Sequence, residues 1–134
     1  RSKPRYIMVG EIRTPDTASE VLRAATSGHL VLSTIHANNI TDAINSVVKY
    51  ASSTSMSEEL AYDLFSRGML GVLHQTLNGV ERKIPLVSYL FANPDSTKGD
   101  QVRGIIKTGK LNLATSIETQ MTRMARGKNI FPDL

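Results

Sequence analysis

The sequence contains no cysteine, so it can build neither a disulfide framework nor a thiolate zinc site. Aromatic residues are only 5% of the chain, too few for the basic patches with interleaved stacking rings that single-strand nucleic-acid binders use. No apolar run approaches the ~18 residues of a membrane-spanning helix. The opening Arg1-Ser2-Lys3-Pro4-Arg5 is charged and leads straight into a five-residue apolar run, which is not the pattern of a signal peptide. Position 1 is not Met, and the chain is expected to be a fragment. Several catalytic signatures are also missing: a complete Gly-x-x-x-x-Gly-Lys-[Ser/Thr] phosphate loop, a Gly-x-Ser-x-Gly elbow, a His-Glu-x-x-His helix and an aspartate-rich calcium loop. Gly109-Lys110 and Gly127-Lys128 read as lacking both the upstream glycine and the following hydroxyl of such a loop, and both as helix ends.

What remains is an ordinary globular composition. Of 134 residues, 40% are hydrophobic and 21% charged, enough for one domain with a core. The formal charge of +4 is spread along the chain. It is compatible with phosphate, nucleic acid or an acidic surface and selects none of them. The basic stretch Arg123-Met124-Ala125-Arg126-Gly127-Lys128 reads as a helix C-terminus that favours positive charge.

The pattern along the chain alternates. Tyr6-Ile7-Met8-Val9-Gly10 is a short continuous apolar run, which predicts a strand buried on both faces. Thr14-Pro15-Asp16 starts a helix whose Ala18, Val21, Leu22 and Ala25 share one face, with Gly28 as its stop. Leu30-Val31-Leu32-Ser33-Thr34-Ile35 is a second buried strand. Thr41 or Asp42 opens a further helix with Ala43, Ile44, Val47, Val48 and Ala51 inward. This alternation predicts a parallel α/β layer. The Ser-rich stretch Ser52–Ser55 is a loop. Ser57 caps a helix expected to reach Leu73, and Asn78-Gly79 marks a hairpin between His74–Leu77 and Ile84–Phe91. Two helices follow, one near Gln101–Thr108 and one near Leu113–Arg126, the latter with Ile117, Met121 and Met124 inward.

The residues with the most chemistry lie in the first forty. Glu11 follows the first strand and Gly10, where α/β sheets place their ligands. A carboxylate there can orient a water or act through a bound magnesium ion. Strand–Gly–acid patterns are common, and Glu11 alone reads equally as an exposed loop acid. His36 follows the second strand, near Glu11 if the two strands are neighbours, and His29 precedes that strand. An imidazole there can donate to a phosphate oxygen. Each histidine by itself is also an ordinary surface or core residue; the pairing of Glu11 with His36 is what favours function.

These residues carry a resemblance. Pro4-Arg5-Tyr6-Ile7-Met8-Val9-Gly10-Glu11-Ile12-Arg13 resembles the Walker B segment of the type II/type IV secretion ATPases, which include the type IV pilus motors. Asp16-Thr17 follows, as an acid–Thr pair does in that family. Ser27-Gly28-His29-Leu30-Val31-Leu32-Ser33-Thr34-Ile35-His36-Ala37-Asn38 resembles the family's histidine box. Gln75-Thr76-Leu77, Thr108-Gly109-Lys110 and Gln120-Met121 are similar to later parts of the same family. The basic opening looks most like the conjugative and Dot/Icm-type branch. The chain departs from the family where Arg5 and Thr14 stand in place of the usual Asp.

The resemblance implies an α/β fold, the second half of a RecA-like P-loop NTPase core followed by a mainly helical region with one β-hairpin. It divides the chain into residues 1–92, a partial core, and 93–134, helical. It makes Glu11 the catalytic glutamate that polarises the attacking water and His36 the histidine nearest the γ-phosphate, with Gly10, Arg13 and His29 supporting the nucleotide site. It assigns no direct metal ligand here, with magnesium only indirectly near Glu11. ATP and Mg2+ are the implied cofactors of the intact protein. A hexameric ring and inner-membrane secretion or pilus platform proteins are its implied partners, with no direct nucleic-acid contact. The implied location is the cytoplasmic face of the bacterial inner membrane. The fragment itself is expected to be inactive and to bind no ATP measurably, and its cut sheet is expected to leave an apolar face bare. Two other classes compete: a non-catalytic oligomerisation or docking module, and a nucleic-acid binder with steep salt dependence.

Overall fold

In the computed structural model, which describes residues 5–54, 56–95 and 100–131, the first apolar run becomes β1 (Arg5–Val9). The opening Arg1-Ser2-Lys3-Pro4 and Ser55 of the Ser-rich loop lie outside the described residues. β1 pairs in parallel with β2 (His29–Ser33), Tyr6 opposite Leu30 and Val9 opposite Ser33. The crossover is α1 (Pro15–Thr26), which lies against β2. Its start follows the sequence chemistry: the Thr14 hydroxyl accepts from the Thr17 N–H, and Pro15 needs no partner in the first turn.

The expectation that β1 and β2 are buried on both faces is corrected. Strand side chains alternate between two faces, and here helices cover one. Ile7, Val9 and Val31 are half-buried, whereas Tyr6 (79% exposed), Met8 (76%), Leu30 and Leu32 stand in solvent. The bare apolar face expected from the sequence is therefore present.

α2 (Ile40–Ser52) starts earlier than Thr41 or Asp42, because Asn39 is the cap. The Asn39 Oδ1 accepts from the Asp42 N–H at 2.8 Å, and the Asp42 carboxylate accepts from the Asn38 N–H at 2.9 Å. The two side chains thus close the helix start reciprocally, in the manner of a capping box. The inward residues are those the periodicity gives: Ala43, Ile44, Val47, Val48 and Ala51 are all buried. Ile44 and Val48 are wholly buried, each worth roughly 1.5–3 kcal/mol of transfer free energy.

α3 (Glu58–Gly68) is capped by Ser57, whose hydroxyl accepts from the Leu60 N–H. It ends at Gly68, short of the expected Leu73, because β3 (Gly71–Asn78) begins three residues later. β3 pairs antiparallel with β4 (Ile84–Phe91), Gly71 opposite Phe91 and Asn78 opposite Ile84. Gly71 belongs to that pairing for a steric reason: a Cβ there would sit 2.6 Å from the Phe91 ring. At the turn, Gly79 has φ of +111° and a Cβ would meet the Arg82 carbonyl oxygen, so the Asn-Gly signal marks a backbone that only glycine adopts readily.

α4 (Gln101–Thr108) is capped by Asp100 and stopped by Gly109 at φ of +77°. The reading that Gly109-Lys110 lacks an upstream glycine is corrected: Gly104 stands five residues before it, the spacing of a phosphate loop. In the fold this segment is helix, its N–H groups are used internally, and Leu111 replaces the hydroxyl. α5 (Ala114–Ala125) is slightly shorter than expected, with Leu113 and Arg126 as its caps. Met124 is half exposed instead of inward; Gln120 takes the buried position. The reason is a pair of hydrogen bonds: Gln120 Oε1 accepts from the Phe91 N–H at 2.8 Å and its Nε2 donates to the Phe91 carbonyl at 2.7 Å. One amide side chain thus satisfies both backbone groups of a β4 edge residue, as a neighbouring strand would.

Two apolar clusters hold the layers. The first joins Ile12, Ala18, Leu22, Val47, Val48 and Leu64 with their neighbours. The second joins Ile40, Ile44, Met69, Leu90, Val102 and Ile106 with theirs, drawing on both sides of position 92. Arg103 fastens the later elements together. Its guanidinium donates to the carbonyls of Ser66 (2.7 Å), Arg67 (3.1 Å) and Asn93 (2.7 Å) and pairs with Asp100 at 3.4 Å. The end of α3 and the loop after β4 are thereby tied to α4.

Candidate functional site

The site begins with the backbone just beyond the two parallel strands. The Ile12 N–H donates to the Thr34 carbonyl at 2.8 Å, and the Thr34 hydroxyl donates to the Gly10 carbonyl. These bonds carry the β1–β2 contact past the strand ends. The Ile12 side chain enters the first apolar cluster, and the residues on either side of it, Glu11 and Arg13, meet outside that cluster.

Glu11 and Arg13 form a two-pronged ion pair: Arg13 Nε lies 2.9 Å from Glu11 Oε2, and Nη2 donates to Oε1 at 2.9 Å. Both prongs have the fork geometry that suits guanidinium to carboxylate. His36, the first loop residue beyond β2 and Ile35, brings Nε2 to 3.5 Å from Glu11 Oε2. Glu11 is about a quarter exposed (26%) and His36 almost fully so (92%). The result is one carboxylate flanked by a guanidinium and an imidazole at the open end of two parallel strands.

The electrostatics follow from contact. The Arg13 hydrogen bond, more than any other influence, holds the Glu11 carboxyl below its ordinary 4.5, and the same contact raises Arg13. Glu11 therefore stays ionised into mild acid. The folded value is depressed, so the stabilising contribution is complete above the unfolded value near 4.5 and is lost as pH falls through the folded value below it. Replacing Arg13 by Gln is expected to move the Glu11 titration up towards, or above, that ordinary value. A carbon-detected NMR titration of the Glu11 carboxyl measures it, and an unmoved midpoint would show that Arg13 does not set the charge.

The structure brings together Glu11, His36 and Arg13, with Gly10 beside them as an exposed turn whose carbonyl is held by Thr34. It does not bring His29 there. His29 pairs with Arg5 at the far end of β2, and the strand length separates it from His36 by some ~20 Å along the chain. His29 thus lies apart from the Glu11–His36 cluster; among the described residues its Nδ1 and the Ser33 hydroxyl are buried without a hydrogen-bond partner. The sequence reading missed His74, in β3. Its Nε2 lies 2.9 Å from the Ala37 carbonyl, next to His36. The only signal in the sequence was a polar residue in an apolar run, which is not specific.

Among the described residues, no three His, Asp or Glu side chains converge as a metal site, and no helix is long and apolar enough to cross a membrane. Glu11 is the single acid of its cluster and both its oxygens are engaged by Arg13. The cluster therefore offers groups that can orient a water and meet an anion. A lone carboxylate already paired to a guanidinium does not suit a metal ion, and a phosphate chain needs a loop of free N–H groups as well.

A parallel strand pair with an acid, an imidazole and a guanidinium at its open end defines an α/β protein with a charged site beyond its strands. The model of the Type II/IV secretion system protein family matches residues 1–85, and the chain belongs to that family. It is similar to a twitching motility protein of Neisseria gonorrhoeae, 26% identical over 99% of this chain and 37% of the relative. It is 42% identical to the type II secretion system protein E of Pseudomonas aeruginosa over 58% of this chain and 14% of that protein. Among solved structures, the pilus retraction motor PilT with bound ADP superimposes with a TM-score of 0.63 at 28% identity, over 89% of this chain and 32% of the other. The Legionella pneumophila ATPase DotB shares the fold with a TM-score of 0.64 at 21% identity, over 92% of this chain and 35% of the other. The chain thus spans about a third of the length of these solved structures. The α/β fold with a parallel pair, helices and an antiparallel hairpin is the one expected from the sequence.

Proposed function

We propose that this chain supplies the hydrolytic wall of an ATP-driven secretion or pilus motor. The observation that carries the reading is the convergence of Glu11 and His36, 3.5 Å apart at the ends of neighbouring parallel strands. Glu11, kept ionised by Arg13, accepts a hydrogen bond from the attacking water and orients it. His36, exposed beside it, donates to an oxygen of the terminal phosphate, and Arg13 adds positive charge where negative charge gathers. In phosphoryl transfer most of the acceleration comes from such positioning and charge complementarity. When bound, ATP would supply the phosphoryl bond that is broken and Mg2+ would neutralise charge; this sequence holds no complete phosphate loop to grip them.

The PilT structure, whose bound nucleotide is ADP, supports the reading, as do the pilus-assembly ATPases among the relatives. A hexameric ring on the cytoplasmic face of the inner membrane, working on secretion or pilus platform proteins, is the assembly that we infer for the whole protein. The residues 1–92 and 93–134 then serve as core and helical extension.

Isothermal calorimetry tests the division of labour. Residues 1–134 alone are expected to give no measurable heat with ATP, because no phosphate loop is present, while the full-length protein binds in the micromolar range. Micromolar binding by the short chain would show that the site is built differently, and no binding by the full-length protein would remove the motor reading.

A further inference from the structure

His74 stands outside the acid–imidazole–guanidinium cluster, yet it touches the loop that carries His36. That loop is pinned at three places. At its start, the Ile12 N–H holds Thr34. At its end, the Asp42 carboxylate takes the Asn38 N–H and Asn39 caps α2. Both pins are made by segments next to the loop in the sheet or the sequence. The middle pin comes from elsewhere: the His74 ring, 37 residues further along the chain, reaches the Ala37 carbonyl at 2.9 Å.

The chemistry of that contact is one-directional. A carbonyl oxygen only accepts, so the proton must sit on Nε2 of His74. The ring is half-buried on the inward face of the hairpin, opposite Ser88 in the β3–β4 register, while Gln75 and Thr76 beyond it are exposed. The bond therefore joins the hairpin to the Ala37–Asn38 peptide, one residue beyond His36. The Ala37–Asn38 peptide plane is therefore held at both ends, its carbonyl by His74 and its N–H by Asp42, which restricts the backbone that carries His36 beside Glu11.

We propose that His74 is a positioning residue: through the Ala37 carbonyl it sets the His36 loop over Glu11 and couples the β3–β4 hairpin to the candidate hydrolytic site. This rests on the ATP reading given above. It adds a residue and a path from the hairpin to the loop that carries His36.

The test uses the full-length protein with two substitutions at position 74 and one at position 11. His74→Gln keeps an N–H donor at nearly the place of Nε2, His74→Leu keeps bulk without a donor, and Glu11→Gln serves as the reference for the site itself. Two quantities are measured: steady-state ATP hydrolysis, and hydrogen–deuterium exchange of the peptide spanning residues 35–39, which needs no nucleotide. His74→Leu is expected to lower kcat about tenfold with KM within about twofold, as displacement of a positioned group does. It should also speed exchange in the 35–39 peptide by a similar factor. His74→Gln is expected to restore both towards wild type, which a general packing defect would not do.

Unchanged exchange and turnover in His74→Leu, or equal damage from Gln and Leu, would overturn the proposal while Glu11→Gln remained inactive. A Glu11→Gln protein that still hydrolyses ATP at the wild-type rate would instead remove the underlying reading, and the positioning role with it, whatever the exchange data showed.

Discussion

Glu11→Gln in the full-length protein is expected to cut ATP turnover by about 10²- to 10³-fold, the usual worth of a positioned general base, and to leave assembly intact. The substitution removes a charge and little volume. The backbone around it does not depend on the carboxylate: the Ile12 N–H still meets the Thr34 carbonyl, and the Ile12 side chain stays in its apolar cluster. One prong of the Arg13 contact can persist through the amide oxygen. Nucleotide affinity should therefore change only a few-fold, because Glu11 accepts hydrogen bonds and offers nothing to bind phosphate. Phosphate release measures the turnover and light scattering the assembly state. Turnover within about threefold of wild type would show that Glu11 does not prepare the water. Loss of assembly together with activity would favour a docking role for this surface.

Arg103→Ala is expected to destabilise the fold by about 3 kcal/mol, the scale on which a buried ion pair is broken from one side. The side chain is only 11% exposed and its partner Asp100 only 6%. Removing it strips a donor from the carbonyls of Ser66, Arg67 and Asn93 at once and leaves the Asp100 charge in a nearly dry place. Asp100 retains the N–H groups of Asn93 and Val102, which limits the loss. Arg103→Lys should recover less than half, since a single ammonium cannot point in the several directions that the guanidinium serves. Urea unfolding gives both values, and a change under 1 kcal/mol for the alanine variant would mean that water replaces the guanidinium at little cost.

Much of the fold was legible because local chemistry and tertiary packing agree. Thr14-Pro15, Ser57 and the Asn78-Gly79 turn are short-range signals, and each stands where the sequence placed it. The inward face of α2 was readable since its five apolar positions repeat at helical spacing over three turns. The errors fall where a partner decides. Met69-Leu70-Gly71-Val72-Leu73 is apolar enough for either helix or strand, and only the pairing of Gly71 with Phe91 settles the matter. Met124 read as inward from periodicity alone, while Gln120 won the buried position through two hydrogen bonds to Phe91 that no pattern reveals. The acid and imidazole of the site were legible from their places after two apolar runs. Arg103 and His74 were not, because their partners are backbone carbonyls 10 to 37 residues away in sequence.

The outward positions of β1 and β2 give a practical handle on the chain when it is produced alone. Tyr6, Met8, Leu30 and Leu32 belong to neither apolar cluster, so exchanging two of them for lysine should leave both interiors as they are. Such a pair should raise the concentration at which the 134-residue polypeptide stays monodisperse, and would make it tractable for spectroscopy without altering Glu11, Arg13 or His36.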